Sequence, residues 1–432
     1  MSAYAELLER RKRVLRGLRL YYDVPFHPVR GEGHWLFDDT GRRFLDAYNN
    51  VPHVGHGHPH VVEALCRQAR LLNTNTRYAY DSIVEYAERI VALMPASLDA
   101  VMLTCTGSEA NDLAWRLARN YTGQSGVITT HNGYHGNTTF LDSIDGSSIK
   151  AARTPPDYWA TVPAPRDPSE MGSHDAATPA ETYAEALDAL ARRGHPPAAM
   201  FIESFFCTDG IRLPASGTLA GAVDLVRKAG CLIIADEVQA GLARPGTHLW
   251  GFERLGLTPD IVVLGKPMGN GHPLAVVVAR HDIVDSFFAK DRYFNTFAGN
   301  PVSCAAGLAV LDVVANERLQ ENAQRVGADL KRRLQSLGDR HALVGDVRGQ
   351  GLLLGVELVE DRGTRKPAGK AARWVINELC RRGVLVGLTG PDRNSRNMLK
   401  IRPPLVFDQE AVELLVGTLD ETLAQCEVAM PG

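Results

Sequence analysis

Long hydrophobic runs are missing from this 432-residue chain. No apolar stretch approaches the roughly 20 residues that a membrane-spanning helix needs, so a helical membrane protein is not expected. An excess of one charge is missing too. The chain carries 47 Lys and Arg against 50 Asp and Glu, a formal net charge of -3 with no long run of either sign, which removes the electrostatic reason to expect nucleic acid or an anionic membrane as partner. The seven cysteines (Cys66, Cys105, Cys207, Cys231, Cys304, Cys380, Cys426) are scattered, odd in number and without a CxxC pair, so neither a disulfide framework nor a zinc site is suggested. A reducing setting, the cytoplasm, is the expectation. Internal repeats and low-complexity tracts are absent. So are GxGxxG in a strand-turn-helix setting and GxxxxGK[ST], which weakens the case for a dinucleotide or P-loop site.

What is present is the composition of an ordinary globular protein, 45% hydrophobic and 22% charged. The length exceeds what one hydrophobic core fills, so two unequal domains are expected. The N-terminal AELLERRKRVLRGLRLYY is basic and amphipathic in the manner of a transit peptide, but Glu6 and Glu9 fit that poorly; a surface helix is the plainer reading.

From 100 to 280 short apolar runs alternate with helical stretches, the pattern of an α/β fold with a mostly parallel sheet flanked by helices. Candidate strands are 100–105, 126–130, 198–204, 231–238, 260–265 and 274–280, apolar throughout and so covered on both faces. Ala110, Leu113, Ala114, Leu117 and Ala118 form one apolar helical stripe. After about 305 a long helical stretch (308–338) precedes short strands in GLLLGVEL, GVLVGL and NMLKIRPPLVF, which predict a smaller α+β domain. Residues 35–49 read as a strand and hairpin that joins it from the other end of the chain. The expected division is 1–70 contributing to the small domain, 71–315 forming the large domain and 316–432 the C-terminal small domain. Region 151–185, rich in Ala, Pro, Asp and Thr, reads as a long surface excursion.

Three segments carry chemistry. TGSEAN (106–111) sits between a strand and the striped helix, where a glycine and the free N–H groups of a helix N-terminus favour an anion such as phosphate; a simple cap by Thr106 or Ser108 is the other reading. ADEVQ (235–239) places Asp236 at the end of a strand, where ligand sites of open α/β sheets lie. It could bind a metal, act as a base or hold a protonated ring nitrogen, or be only a loop charge. GKPMGNGHP (265–273) puts Lys266 at another strand end beside a glycine-rich turn, well placed to form an imine, although most lysines are solvated charges. His53, His56, His58 and His60 could suggest a metal, but no acid or cysteine accompanies them in the sequence, and no metal is expected. Cys105 and Cys207 read as small apolar residues.

These motifs, with GYHG (133–136) and FNTFAGNP (294–301), stand in the order and spacing of the class III aminotransferases. NNVPHVGHGHP (49–59), VRGQGLLLGVEL (347–358) and KIRPPL (400–405) extend the resemblance over nearly the whole chain. The resemblance implies fold type I of the pyridoxal-phosphate enzymes, with a seven-stranded mixed sheet in the large, cofactor-binding domain. It also implies a homodimer with shared active sites. By matching motif, Lys266 would hold pyridoxal 5'-phosphate through its amine and move the substrate proton, and Asp236 would pair with the ring nitrogen. Gly107 and Ser108 would hold the cofactor phosphate together with Thr296 of a neighbouring subunit. Tyr134 would stack on the ring, Gln239 would sit near its phenolic oxygen, and Glu203 would lie on the substrate side. The sequence departs from the family at GLARPG (241–246), which keeps Arg244 but not the residues around it.

Within the family, NNVPHVGHGHP, LLNTNTRY (71–78), GKPMGNGHP and the stretch from Tyr293 resemble the branch containing ethanolamine-phosphate phospho-lyase and its relative acting on phosphohydroxylysine. That implies loss of phosphate from O-phosphoethanolamine. An ω-transaminase of amines or amino acids is the alternative, and a non-catalytic scaffold is disfavoured by the intact set of cofactor residues. A second dianion in the site calls for basic residues, for which Arg77 and Arg402 are the candidates, followed by Lys400 and His53.

Overall fold

A computed structural model describes residues 3–24, 26–147, 154–165, 177–390 and 395–430. Its centre is a seven-stranded sheet with the spatial order Ala100–Thr104, Ala275–Ala279, Ile261–Leu264, Leu232–Asp236, Pro197–Glu203, Gly126–Thr130 and Trp159–Val162. Only Ala275–Ala279 runs against its neighbours; the five strands from Ile261–Leu264 to Trp159–Val162 pair in parallel. The inner strands are buried from end to end, as their unbroken apolar runs require of a sheet covered on both faces. The fold is the α/β fold type I architecture.

Helix Gly107–Thr122 shows how the sequence builds one such cover. The Thr106 hydroxyl accepts the Glu109 N–H at 3.1 Å, and the Glu109 carboxylate accepts the Thr106 N–H at 2.9 Å, a reciprocal cap. Ala110, Leu113, Ala114, Leu117 and Ala118 are all buried, and Gly123 closes the helix at φ 70°, a left-handed conformation that glycine adopts without strain.

Two smaller sheets complete the molecule. Pro28–Glu32, Trp35–Asp38 and Arg43–Asp46 form a meander, and Val384–Leu385 pairs in parallel with Arg43–Asp46. The two ends of the chain therefore meet in one sheet, as residues 35–49 suggested. Val344–Gln350, Leu353–Asp361, Met398–Ile401 and Gly387–Thr389 form the other, with Lys366–Pro367 paired to Leu353–Asp361.

Two expectations are corrected. The stretch 308–338 is not one helix but parts of two, Pro301–Asn316 and Leu319–Leu337, separated where Arg318 takes φ 54°. The first is buried on nearly every face and packs on Pro59–Leu71 and Asp81–Ala92, while the second is amphipathic; different burial demands on the two halves force the turn. The excursion 151–185 holds an edge strand, Trp159–Val162, and the start of helix Pro179–Arg192, capped reciprocally by Thr178 and Glu181; its residues 151–153 and 166–176 lie outside the described ones. No helix among the described residues is long and apolar enough to cross a membrane.

Candidate active site

The C-terminal ends of the central strands open into a cleft of about 320 Å³. Gly107, Ser108, Tyr134, Glu203, Asp236, Gln239 and Lys266 line it together. Residues separated by up to 159 positions in the chain are thereby brought to one site, because each ends or follows a strand that stops there.

Asp236 closes strand Leu232–Asp236 and is only 3% exposed. Its Oδ2 accepts hydrogen bonds from Asn111 Nδ2 at 2.8 Å and faces His135 Nδ1 at 2.8 Å, and its Oδ1 accepts the Val238 N–H at 3.1 Å. The Asn111 amide can be oriented in one way only: Nδ2 also donates to the His135 carbonyl at 2.8 Å, so a flipped amide would set oxygen against two acceptors. Its Oδ1 is left buried without a partner. Asn111 and His135 line the cleft and hold Asp236, positions that reading the sequence missed, although both stand inside the motifs TGSEAN and GYHG.

The neighbouring carboxylate has a different task. Glu237 is fully buried and accepts the Gly251 N–H at 2.7 Å, the Phe252 N–H at 2.9 Å and the Ser204 hydroxyl. It anchors the short helix Gly251–Arg254 and does not line the cleft.

Lys266 follows strand Ile261–Leu264, and among the described residues no carboxylate lies within ion-pair distance of its amine. Burial, then the charge of Arg402, holds its pKa below the ordinary lysine value, against the pull of Asp236, Cys207 and Glu203. The effect is to raise the unprotonated fraction that a nucleophile or base requires. Opposite it, Gly107 and Ser108 begin the helix with backbone N–H groups that have no acceptor among the described residues, so this end offers donors to an anion. Thr106 is the cap, which leaves Ser108 facing the cleft, its Oγ accepting, among the described residues, only the Asn137 N–H at 3.2 Å. A Cβ at Gly107 would come within 2.9 Å of Val238 Cγ2, so this turn admits only glycine without displacing the wall.

Behind Gln239 and Glu203 sits a basic pair that does not itself line the cleft. Lys400, on strand Met398–Ile401, and Arg402 are 6% and 7% exposed. Burial and the charge of Arg402 push the Lys400 pKa down to about 7, while Cys207 and Glu203 pull it up. Arg402 Nη1 donates to Gln239 Oε1, and its Nε is buried without a partner among the described residues. Glu203 accepts from the backbone N–H of Cys207 and Phe205, and burial raises its pKa above the ordinary carboxylate value.

Three candidates lie elsewhere. His53 is fully buried, with Nε2 at 2.6 Å from the Leu242 carbonyl and Nδ1 at 3.1 Å from Arg244 Nη2. Both ring nitrogens are engaged within the protein, so the expectation that it binds substrate is corrected. Arg77 is exposed, its guanidinium 4.1 Å from the Phe294 ring centre, and Thr296 is exposed two residues beyond. Neither lines this chain's cleft. Among the other histidines, His56 pairs with Asp46, His58 with Glu317 and His60 with Asp312.

A family model described as aminotransferase class-III matches residues 20–423. A Drosophila melanogaster protein named alanine–glyoxylate aminotransferase 2-like is 39% identical over 421 residues, covering 94% of this chain and 85% of the relative. A Caenorhabditis elegans protein named ethanolamine-phosphate phospho-lyase homolog 1 is 36% identical over 438 residues, covering 97% of this chain and 93% of the relative. Among solved structures, a phospholyase from Arthrobacter in complex with phosphoethanolamine has a TM-score of 0.91 at 39% identity, over 97% of this chain and 99% of that one.

Proposed function

The chain belongs to the class III aminotransferases, and from that premise we propose that it is a phospho-lyase that removes phosphate from a small phosphorylated primary amine, O-phosphoethanolamine. Pyridoxal 5'-phosphate is the cofactor of the family. The site fits it: the unpaired N–H groups of Gly107 and Ser108 suit its phosphate, the fixed carboxylate of Asp236 suits its ring nitrogen, and the free amine of Lys266 suits its aldehyde. When bound, the cofactor withdraws electron density from the carbon that bears the substrate nitrogen.

The observation that carries the lyase reading is the pair of buried cations, Lys400 and Arg402, beside Lys266. One guanidinium suffices for a carboxylate; a second buried cation and the unpartnered Arg402 Nε suit a dianionic phosphate. Lys266 takes the proton from the carbon bearing nitrogen. The electron pair released forms a double bond to the next carbon as the carbon–oxygen bond breaks, and phosphate leaves with the bonding pair toward Lys400 and Arg402. Water then hydrolyses the two-carbon enamine to acetaldehyde and ammonia. Tyr134, which lines the cleft, would cover the cofactor ring, Gln239 holds Arg402, and Glu203 offsets the positive charge of Lys400. Thr296 would serve the partner's site in a homodimer, and Arg77, exposed and outside this chain's cleft, could take part in substrate binding only from such a partner. A cytoplasmic location goes with this reading.

The Drosophila relative's name supports a second reading, transamination of an amine or amino acid, with all the cofactor residues in common. A longer substrate such as phosphohydroxylysine would use the same two cations. The holoenzyme incubated with O-phosphoethanolamine and no keto acid should release phosphate and acetaldehyde in equal amounts. Absence of phosphate, with turnover appearing only on addition of pyruvate, would replace the lyase by the transaminase.

A further inference from the structure

The Arg402 guanidinium lies 5.3 Å from the centre of the Tyr48 ring. Tyr48 is stacked in turn on Tyr21, with centroids 4.9 Å apart and planes inclined by 23°. The two outer layers are held by hydrogen bonds of their own. The Tyr21 hydroxyl accepts the Leu388 N–H at 2.6 Å, and Tyr22 donates its hydroxyl to the Val386 carbonyl at 3.1 Å. Asp23 and Asn377 exchange two hydrogen bonds, of 2.8 and 2.6 Å. The N-terminal segment is thus fastened across strand Gly387–Thr389. Gly387 leaves the room for the middle ring, since a Cβ there would fall 2.4 Å from Tyr48 Cδ2. The arginine backbone is held by the Ala47 carbonyl at 2.8 Å.

This arrangement constrains the guanidinium from two directions. Gln239 takes Nη1, and the aromatic face below limits rotation out of the plane. Nε, buried and without a partner among the described residues, is the donor that remains for an anion reaching past Gln239, which lines the cleft. A guanidinium over an aromatic face is favoured by the ring quadrupole, the more so when both are withdrawn from water, and its fork of donors recognises an oxyanion only in the right plane.

We propose that Tyr48, backed by Tyr21, is a positioning residue that fixes Arg402 for the anionic group of the substrate and so commits the site to amines that carry such a group. The proposal rests on the reading of Arg402 as the substrate's anion site, but not on whether that anion leaves as phosphate.

The test is steady-state kinetics of the holoenzyme and of Tyr48→Phe, Tyr48→Leu and Tyr21→Leu, with cofactor absorbance and thermal midpoint recorded for each. Tyr48→Phe keeps the ring and should keep the wild-type KM for O-phosphoethanolamine. Tyr48→Leu should raise that KM roughly tenfold, the factor corresponding to loss of a desolvated cation–π contact. Its kcat should stay within about twofold and its cofactor absorbance unchanged, as for loss of binding shared by ground and transition state. Tyr21→Leu should move KM in the same direction by a smaller factor, and it carries the test if Tyr48→Leu does not fold. An unchanged KM in both leucine variants, or equal damage by Tyr48→Phe and Tyr48→Leu, overturns the proposal. If the wild type releases no phosphate, the same comparison is made with β-alanine and pyruvate. A KM rise there sustains the stack while the lyase reading falls, and no rise removes both.

Discussion

Glu237→Gln separates the two adjacent carboxylates of ADEVQ and has a magnitude that follows from geometry. The two oxygens of Glu237 accept two different backbone N–H groups, Gly251 on Oε2 and Phe252 on Oε1. An amide has one oxygen, so either orientation turns an NH2 against one N–H. The cost is that of a buried unsatisfied donor, about 2 kcal/mol within a range of roughly 1–3. Burial, though, pushes the Glu237 pKa up to about 7 against the hydrogen bonds that lower it, with the charge of Glu203 raising it further. A raised carboxyl pKa means that the folded state holds a proton the unfolded state has lost. Stability therefore falls as pH rises from about 4.5 to about 7, and the whole cost is present above that. At about 1.4 kcal/mol per unit, a rise of roughly 2.5 units is worth about 3 kcal/mol. Glutamine escapes this cost. The variant should be about 2 kcal/mol less stable than the wild type near pH 5.5, with the gap closed or slightly reversed near pH 8. With an unfolding entropy of roughly 0.9 kcal/mol/K for a chain of this length, each kcal/mol moves the thermal midpoint by about 1 °C. Differential scanning calorimetry of both holoenzymes at equal concentration across that range is the assay. Cofactor absorbance and kcat should be little altered, since Glu237 does not line the cleft. A gap independent of pH, or one that widens with pH, refutes the reasoning.

Two further outcomes follow from the site. Lys266→Ala should lose the covalent cofactor adduct that borohydride reduction reveals by intact mass in the wild type, with phosphate release reduced by at least roughly 10²–10⁴-fold, the usual worth of a positioned base. For Lys400, with its pKa lowered to about 7 by burial and by Arg402, protonation is lost as pH rises. The KM for O-phosphoethanolamine should therefore climb by up to about tenfold per pH unit above 7. The groups that set this titration are Arg402 and Lys266, which repel the charge, and Glu203 and Cys207, which favour it. Lys400→Met should flatten that slope in a pH series of KM, and a slope that persists in the variant assigns it to another group.

The sequence made legible what lies at strand ends, because an apolar run followed by glycine or a charge is a local signal. Lys266, Asp236 and Gly107 could be found that way, and the strands bearing them were placed to within a residue or two. Pairings across the fold could not. Asn111 stands 125 residues from Asp236 and His135 stands 101 from it, and no periodicity in the chain encodes a hydrogen bond at such separation. His53 shows the converse: among four histidines in a Gly- and Pro-containing stretch it looked available, yet its partners are 189 and 191 residues away. The break at Arg318 has no glycine or proline to announce it. Only the packing of Pro301–Asn316 against two other helices explains why the chain turns there.

Arg244 and Arg402 show why burial alone does not identify a binding residue. Both are buried, at 1% and 7% exposure. Arg244 donates to the carbonyls of Leu352 at 2.9 Å and Pro403 at 2.7 Å and meets His53 at 3.1 Å. Its pKa is pushed down to about 9 by burial and then by the charge of Arg402. Its donors are engaged by main chain, so it ties the loop 241–246, where Leu242 and Ala243 take positive φ, to the segments around 352 and 403. The departure from the family in GLARPG thus falls on a loop whose arginine has a structural task. Arg402 has one side-chain partner and an Nε with none. A buried donor without an acceptor costs roughly 1–3 kcal/mol, and a ligand oxygen that accepts from it recovers that cost on binding. Arg254 and Arg396 also keep buried donors without partners, so it is the contact with Gln239, which lines the cleft, together with the open Nε that makes Arg402 the candidate for the substrate anion.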